Sequence, residues 1–435
     1  KGGSAADTGR GPGHYGDLSR YFHGNTLPRQ PFGASLTSPV HGASIHRMRA
    51  KIIISRLSCI SYRTAAFVLA AVMAPAPATA DKQLLWGDTH LHSSYSADAY
   101  LSGNFSADPD TAYRYAKGLP VIHPFHRARV SIGTPLDFLV VSDHAEFLGG
   151  IRALHRGEVE RSELGFMDRL ISRGAQQMFR FLLRDGYAMD IFDRMSAQPA
   201  DPSARAAELA ENGTPSLPGQ RSIMATAWQE IAHSADKHNA PGEFTALIGW
   251  EWTATPGGAN LHRIVITDSD AKTAQQYDPF GLDDSPYPED LWAWLEETSE
   301  STGARFTAIP HNSNISKGYM FSDTSLRGKP FDADYVALRS KWERVAEITQ
   351  IKGDSETHSS LSPNDEFADF ENYPYYIQRN WTPWKPQRGD FVREALKRGL
   401  ELEGSLGKNP YVLGVIGSTD AHTSVSSAEE DNFHG

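Results

Sequence analysis

Beyond residue 82 the chain sets short apolar runs between longer amphipathic or polar stretches. Seven runs stand out: QLLWGDTHLH (83–92), PLDFLVVSDHAE (135–146), EFTALIGWEWT (243–253), NLHRIVITD (260–268), ARFTAIPHN (304–312), RVAEITQIKG (344–353) and YVLGVIGSTDAH (411–422). Val, Ile, Leu and Phe follow one another there with little alternation, which predicts strands covered on both faces, as in α/β proteins. Helical stretches lie between most of them, so the pattern predicts a barrel-like or open α/β sheet. One join differs. Only ATPGGA separates Thr253 from Asn260, too short for a crossover helix, and it predicts an antiparallel hairpin turned by Gly257 and Gly258. Such a hairpin brings Glu251 and His262 to one edge of the sheet.

Residues 147–240 read as a long helical insertion, for example GEVERSELGFMDRLISRGAQQMFRFLLRDG, with a softer break at SAQPADPSARAAELAENGTPSLPGQ. A later loop, NYPYYIQRNWTPWKPQRGD (372–390), is dense in aromatics and suits a pocket wall. Residues 1–47 are rich in Gly, Ser, Pro and His without an apolar period, and are read as a non-native upstream segment. From Met48, basic residues (Arg49, Lys51, Arg56, Arg63), an apolar stretch from Ala65 to Ala74 and the end ATA before Asp81 predict a secretory signal peptide over 48–80. The expected location is therefore the periplasm or the exterior, with the folded domain over 81–435.

Composition narrows the chemistry. The net charge is −11 with no basic tract, so nucleic acid is not an expected partner. The single cysteine, Cys59, falls inside the expected leader, which leaves the mature chain no disulfide, thiolate ligand or cysteine nucleophile. No later apolar run reaches the length of a membrane span.

What remains is a set of imidazoles and carboxylates at the strand ends. His90 and His92 close the first run, Asp143 and His144 the second, and Glu251 the third. His262 opens the fourth, His311 closes the fifth, and Asp420 and His422 close the last. Alternation along a strand points both side chains of H-x-H or D-x-H to one face, leaving Leu91 and Ala421 for packing. The carboxyl ends of α/β strands share one mouth, where such folds place their sites. Imidazoles with carboxylates and no thiolate suit Zn, Mn, Fe or Co better than Mg or Ca. The donors are too many for one ion, so two or three divalent ions sharing a bridging carboxylate are expected.

The ordered motifs H-x-H, S-D-H, an acidic residue after an apolar strand, a lone His and a late D-x-H resemble the polymerase-and-histidinol-phosphatase (PHP) superfamily. The longer phrases WGDTHLHSSYSADAY, DFLVVSDHAEFLG, GWEWT, PGGANLHR, IPHNSN and GVIGSTDAHT are similar, more narrowly, to its exported branch, the domain of unknown function 3604 family. The resemblance implies a distorted seven-stranded (βα) barrel carrying the helical insertion and the hairpin. It also implies that the domain is truncated at its C-terminal end, EEDNFHG, and that it holds a trinuclear centre. His90, His92, Glu251 and Asp420 are its expected first ligand set; Glu251 bridges to a second set completed by His262 and His311. Asp98, where many PHP enzymes carry a histidine, joins His144 and His422 in the third. Asp88 and Asp143 are expected to orient ligand imidazoles. Glu146 is a candidate proton donor or a helix-start residue.

The implied activity is that of a metal-dependent phosphoesterase using a metal-bridging hydroxide on a small anionic ester. Arg263, Lys317 and Lys352 are candidates to hold its anion, Lys317 first because it follows HNSNIS. No G-x-S-x-G, P-loop or H-E-x-x-H motif competes with this reading. Its rivals are hydrolysis of another ester (sulfate, carboxylate or lactone) or an amide at the same metals, and a non-catalytic metal-binding domain.

Overall fold

The computed structural model describes residues 83–158, 165–195, 197–212, 219–376 and 383–434. The expected leader and the segment before it lie outside the described residues. The first apolar run yields only a two-residue strand, Gly87–Asp88 (β1). A small antiparallel ribbon, Val121–Ile122 (β2) with Arg129–Val130 (β3), follows. Phe138–Val141 (β4) then pairs in parallel with β1 on one side and with Thr245–Trp252 (β5) on the other.

The hairpin is where the sequence places it. β5 runs antiparallel to Arg263–Thr267 (β6), with Trp252 opposite Arg263 and Glu251 opposite Ile264. Gly257 and Gly258 turn the connection at positive φ, a region open to glycine without strain. β6 pairs antiparallel with Phe306–Pro310 (β7), completing a curled five-stranded half-barrel in the order β1-β4-β5-β6-β7. A second sheet joins Val345–Gln350 (β8), Gly353–Asp354 (β9) and Gly414–Gly417 (β10), with β8 parallel to β10.

The expected single seven-stranded ladder is thus divided between two sheets. β1 stops at Asp88 because several backbone donors past it turn to side chains. His90 N–H donates to Asp88 Oδ1 (3.0 Å), Leu91 N–H to Ser142 Oγ (3.1 Å) and Ser93 N–H to Asp143 Oδ1 (2.6 Å). The two sheets are nonetheless tied at one edge: His92 N–H donates to Ala421 O (2.9 Å) and Asp420 N–H to His90 O (2.8 Å).

The insertion between β4 and β5 is helical as expected, with helices Gly150–Arg156, Phe166–Arg184, Ala188–Met195, Pro202–Asn212 and Gln220–His238. The last of these covers β5, where Trp228 meets Trp250 edge-to-face at 5.6 Å. Such a pair adds about 0.5–1.5 kcal/mol beyond its buried area. Trp250 and Trp252 donate their indole N–H to Phe280 O and Ser285 O, and both are fully buried in the core. No described helix is long and apolar enough to cross a membrane.

Candidate metal centre

Glu251, at the end of β5, is the hub of the site. Its Oε1 lies 2.6 Å from His262 Nδ1 and 3.0 Å from His311 Nε2. Its Oε2 lies 3.2 Å from His92 Nε2 and 3.5 Å from both His90 Nε2 and His144 Nδ1. The strand buries this carboxylate, and the hairpin and β7 deliver His262 and His311 to one of its oxygens. The two histidines of H-x-H approach the other.

Asp420 enters from the far sheet. Its backbone is left-handed (φ 52°), a conformation Asp tolerates better than most residues. Its Oδ1 lies 3.1 Å from the Nε2 atoms of both His90 and His92. Asp98, in the first turn of helix Ala97–Leu101, places Oδ2 3.2 Å from His144 Nε2 and 2.9 Å from His422 Nε2. Four groupings result, in each of which one donor atom per residue lies within 4.8 Å of the others: His90, His92 and Glu251; Glu251, His262 and His311; His92, Asp98, His144 and His422; and His90, His311 and Glu347.

Hydrogen bonds around the rim set the tautomers. Ser96 Oγ donates to Asp143 Oδ1 (2.9 Å), so it accepts from His92 Nδ1–H (2.8 Å). His422 Nδ1–H donates to the Asp420 carbonyl (2.9 Å), and His90 Nδ1–H to Glu347 Oε2 (3.0 Å). In all three rings the Nε2 lone pair is left facing inward, as a metal ligand requires. Asp143 reaches the His92 imidazole only through the hydroxyl of Ser96. Asp88 instead holds backbone and hydroxyls, from His90 N–H to Thr419 and Ser426.

The residues fit a metal on their own chemistry. Glu251 Oε2, Asp420 Oδ1, His262 Nε2 and His311 Nδ1 are buried without a hydrogen-bond partner. Buried polar atoms ordinarily find one, and an unpaired charged acceptor is costly. Cations among these donors would satisfy the converging carboxylate oxygens and lone pairs together.

The electrostatics of the bare side chains reflect the same crowding. Burial opposes charge on His90 and His144, yet Glu347 and Glu251 lift the first to about 9, and Glu251 and Asp98 the second to about 10. Burial lowers His262 to about 4 and His422 to about 3, against the pull of their carboxylate partners. Burial also works against ionised Asp98 and Glu251, but the surrounding imidazoles hold both well below the usual carboxylate range.

The cations fall differently from expectation. Lys317 donates Nζ to Gly257 O (2.6 Å) and lies over the Tyr376 ring, held by the hairpin loop rather than by the cluster. Arg263 is turned into the core, where Glu343 joins it to Arg339 in a buried ion triad. Lys352 is the cation at the site: its ammonium contacts Asp420 Oδ2, to which Gln350 Nε2 also donates (2.7 Å). Asn312 and Asn314 fix the Lys352 carbonyl with their side-chain amides. Glu146 starts no helix; its Oε1 accepts the N–H groups of Thr253 and Leu282, and burial raises it to about 7.

Glu347 was not among the expected residues. Its only trace was a lone carboxylate inside the apolar run RVAEITQIKG, a buried charge whose partner the sequence does not identify. Ser96 and Gln350 carried no comparable signal.

The profile of the family described as Protein of unknown function (DUF3604) matches residues 79–435. The chain belongs to the DUF3604 family. No curated protein and no solved structure matches it. For this DUF3604 chain, the match takes in every donor of the cluster, from His90 to His422.

Proposed function

We propose that this DUF3604 protein is an exported metal-dependent hydrolase of the PHP type, acting as a phosphoesterase on a small anionic ester at a centre of two or three transition-metal ions. The observation that carries the reading is the placement of Glu251, with His262 and His311 on one oxygen and His90 and His92 near the other. The half-barrel and its tie to the second sheet at Leu91 and Ala421 support a distorted barrel.

In this reading His90, His92, Glu251 and Asp420 hold the first ion, Glu251, His262 and His311 the second, and Asp98, His144 and His422 the third. Such ions, zinc, manganese or iron by donor type, supply Lewis acidity and activation of water. The chain's own residues do the rest. Asp143 through Ser96 fixes His92, Glu347 fixes His90, and the Lys352 ammonium meets the anion of the substrate. Elemental analysis of protein kept from chelators tests the metals. Turnover of para-nitrophenyl phosphate, bis-phosphate, sulfate and acetate esters then tests the chemistry, and activity on the acetate alone would sink the phosphoesterase reading.

A further inference from the structure

The helix Phe166–Arg184 has two apolar faces, and among the described residues only one of them is packed. Phe179 and Leu183 pack against the small core of Ala97, Tyr100 and Ile151, and Gln176 is buried beside them. Phe166, Met167, Leu170, Ile171, Met178 and Phe181 occupy the other side and are 52–80% exposed. At about 100° per residue these six fall on one continuous stripe down the helix. Gly174 lies within the stripe, and a side chain built there would meet open space.

Along one flank of the stripe runs a ridge of arginines. Arg169, Arg173, Arg180 and Arg184 project within about 60° of one another on the same wheel, all exposed. Against Asp168 alone they give the helix a net charge of +3 in a chain of net charge −11. The helix thus carries net positive charge, part of it paired at Arg184 with Asp185, beside an apolar side that is exposed among the described residues. A large apolar moment bordered by arginine is the pattern of a helix lying in the plane of a membrane interface, its apolar side chains in the acyl boundary and its guanidinium groups among anionic headgroups.

We propose that Phe166–Arg184 is a docking surface for an anionic lipid bilayer. The charge decides for lipid over a second copy: a copy of this acidic chain would bring the same arginine ridge with it, whereas phosphate headgroups complement it. This inference is independent of the metal centre and of its activity.

The test is sedimentation of the full chain with vesicles of phosphatidylcholine mixed with phosphatidylglycerol in equal parts, and with vesicles of phosphatidylcholine alone. The expected result is binding to the anionic vesicles only, weakened by salt, with about fivefold lower affinity for Arg173→Gln. The double variant Leu170→Glu/Met178→Glu, at positions already exposed and so compatible with the fold, is expected to stay in the supernatant with an unchanged circular dichroism spectrum. The proposal is overturned if the unaltered protein does not sediment, or if both variants sediment as it does. It is overturned equally if the protein elutes as a dimer that the double variant separates, because the stripe then covers a second copy.

Discussion

Glu347 Oε2 lies 3.0 Å from Nδ1 of His90, with both side chains buried, and that contact turns the other ring nitrogen of His90 toward Glu251 and Asp420. A carboxylate behind a ligand imidazole fixes its tautomer and raises its basicity. Glu347→Gln keeps the shape and removes the charge. Metal affinity is expected to fall by about 10–100-fold, measured by competition with a chromogenic chelator, while the circular dichroism spectrum stays unchanged. Undiminished affinity would leave Glu347 as a packing residue.

The bare site should bind metal more tightly as pH rises. At neutral pH the metal-free protein carries protons on His90, with its pKa at about 9, and on His144, at about 10, while His262 and His422 are already neutral. A cation must displace about two protons, so apparent affinity should rise by up to about a hundredfold per pH unit between pH 6 and 8. Calorimetry in buffers of different ionisation enthalpy reads the protons released.

Metal-free stability should move in the opposite direction. A histidine whose folded pKa is raised contributes fully below its unfolded value of about 6.5 and loses that contribution as pH climbs through 9 and 10. The midpoint of thermal unfolding of chelated protein is therefore expected to fall from pH 6.5 to pH 10, and the metal-loaded protein should not follow it.

Much of the site was legible because its donors sit where apolar runs stop. His90, Glu251, His311 and Asp420 each terminate a run, and all four converge. The hairpin was legible from Gly257 and Gly258, since a six-residue join leaves no other geometry. Glu347 was not, because a residue inside an apolar run reads as part of the strand until its cross-sheet partner is known. The order among the candidate cations Arg263, Lys317 and Lys352 was not legible either. Proximity in sequence favoured Lys317, but a left-handed backbone (φ 55°) directs it to the hairpin, while Lys352 arrives from the other sheet.

In the proposed centre, Asp98 decides between two ions and three. Its Oδ2 faces His144 and His422, and its Oδ1 is taken by the N–H of Ala99 (2.7 Å). Asp98→Asn is expected to cost one ion per chain by elemental analysis and leave the others. Glu251→Gln, which touches both other sets, is expected to cost at least two. Equal losses in the two variants would mean that the ions bind only as a unit.

The buried triad of Arg263, Glu343 and Arg339 supports the site from behind, since Arg263 directly follows His262. Glu343→Ala leaves two guanidinium groups in the core without their anion. A loss of about 3–5 kcal/mol in unfolding free energy is expected, the range for breaking one side of a buried ion pair. Denaturant titration checks it.

Lys352 offers the sharpest distinction between holding the metal cage and meeting a ligand. Its ammonium contacts Asp420 Oδ2, but Gln350 shares that oxygen, and Asp420 Oδ1 is the atom that faces His90 and His92. Asp420 therefore keeps a partner when the charge is removed. Lys352→Met is expected to retain its full metal content and to bind inorganic phosphate about 10–100-fold more weakly than the unaltered protein, the range for one hydrogen bond to a charged group. Phosphate titration of the metal-loaded proteins, with elemental analysis of the same samples, reads both quantities. Loss of metal with unchanged phosphate affinity per loaded site would make Lys352 a residue that positions Asp420, and the anion would have to be met by the ions alone.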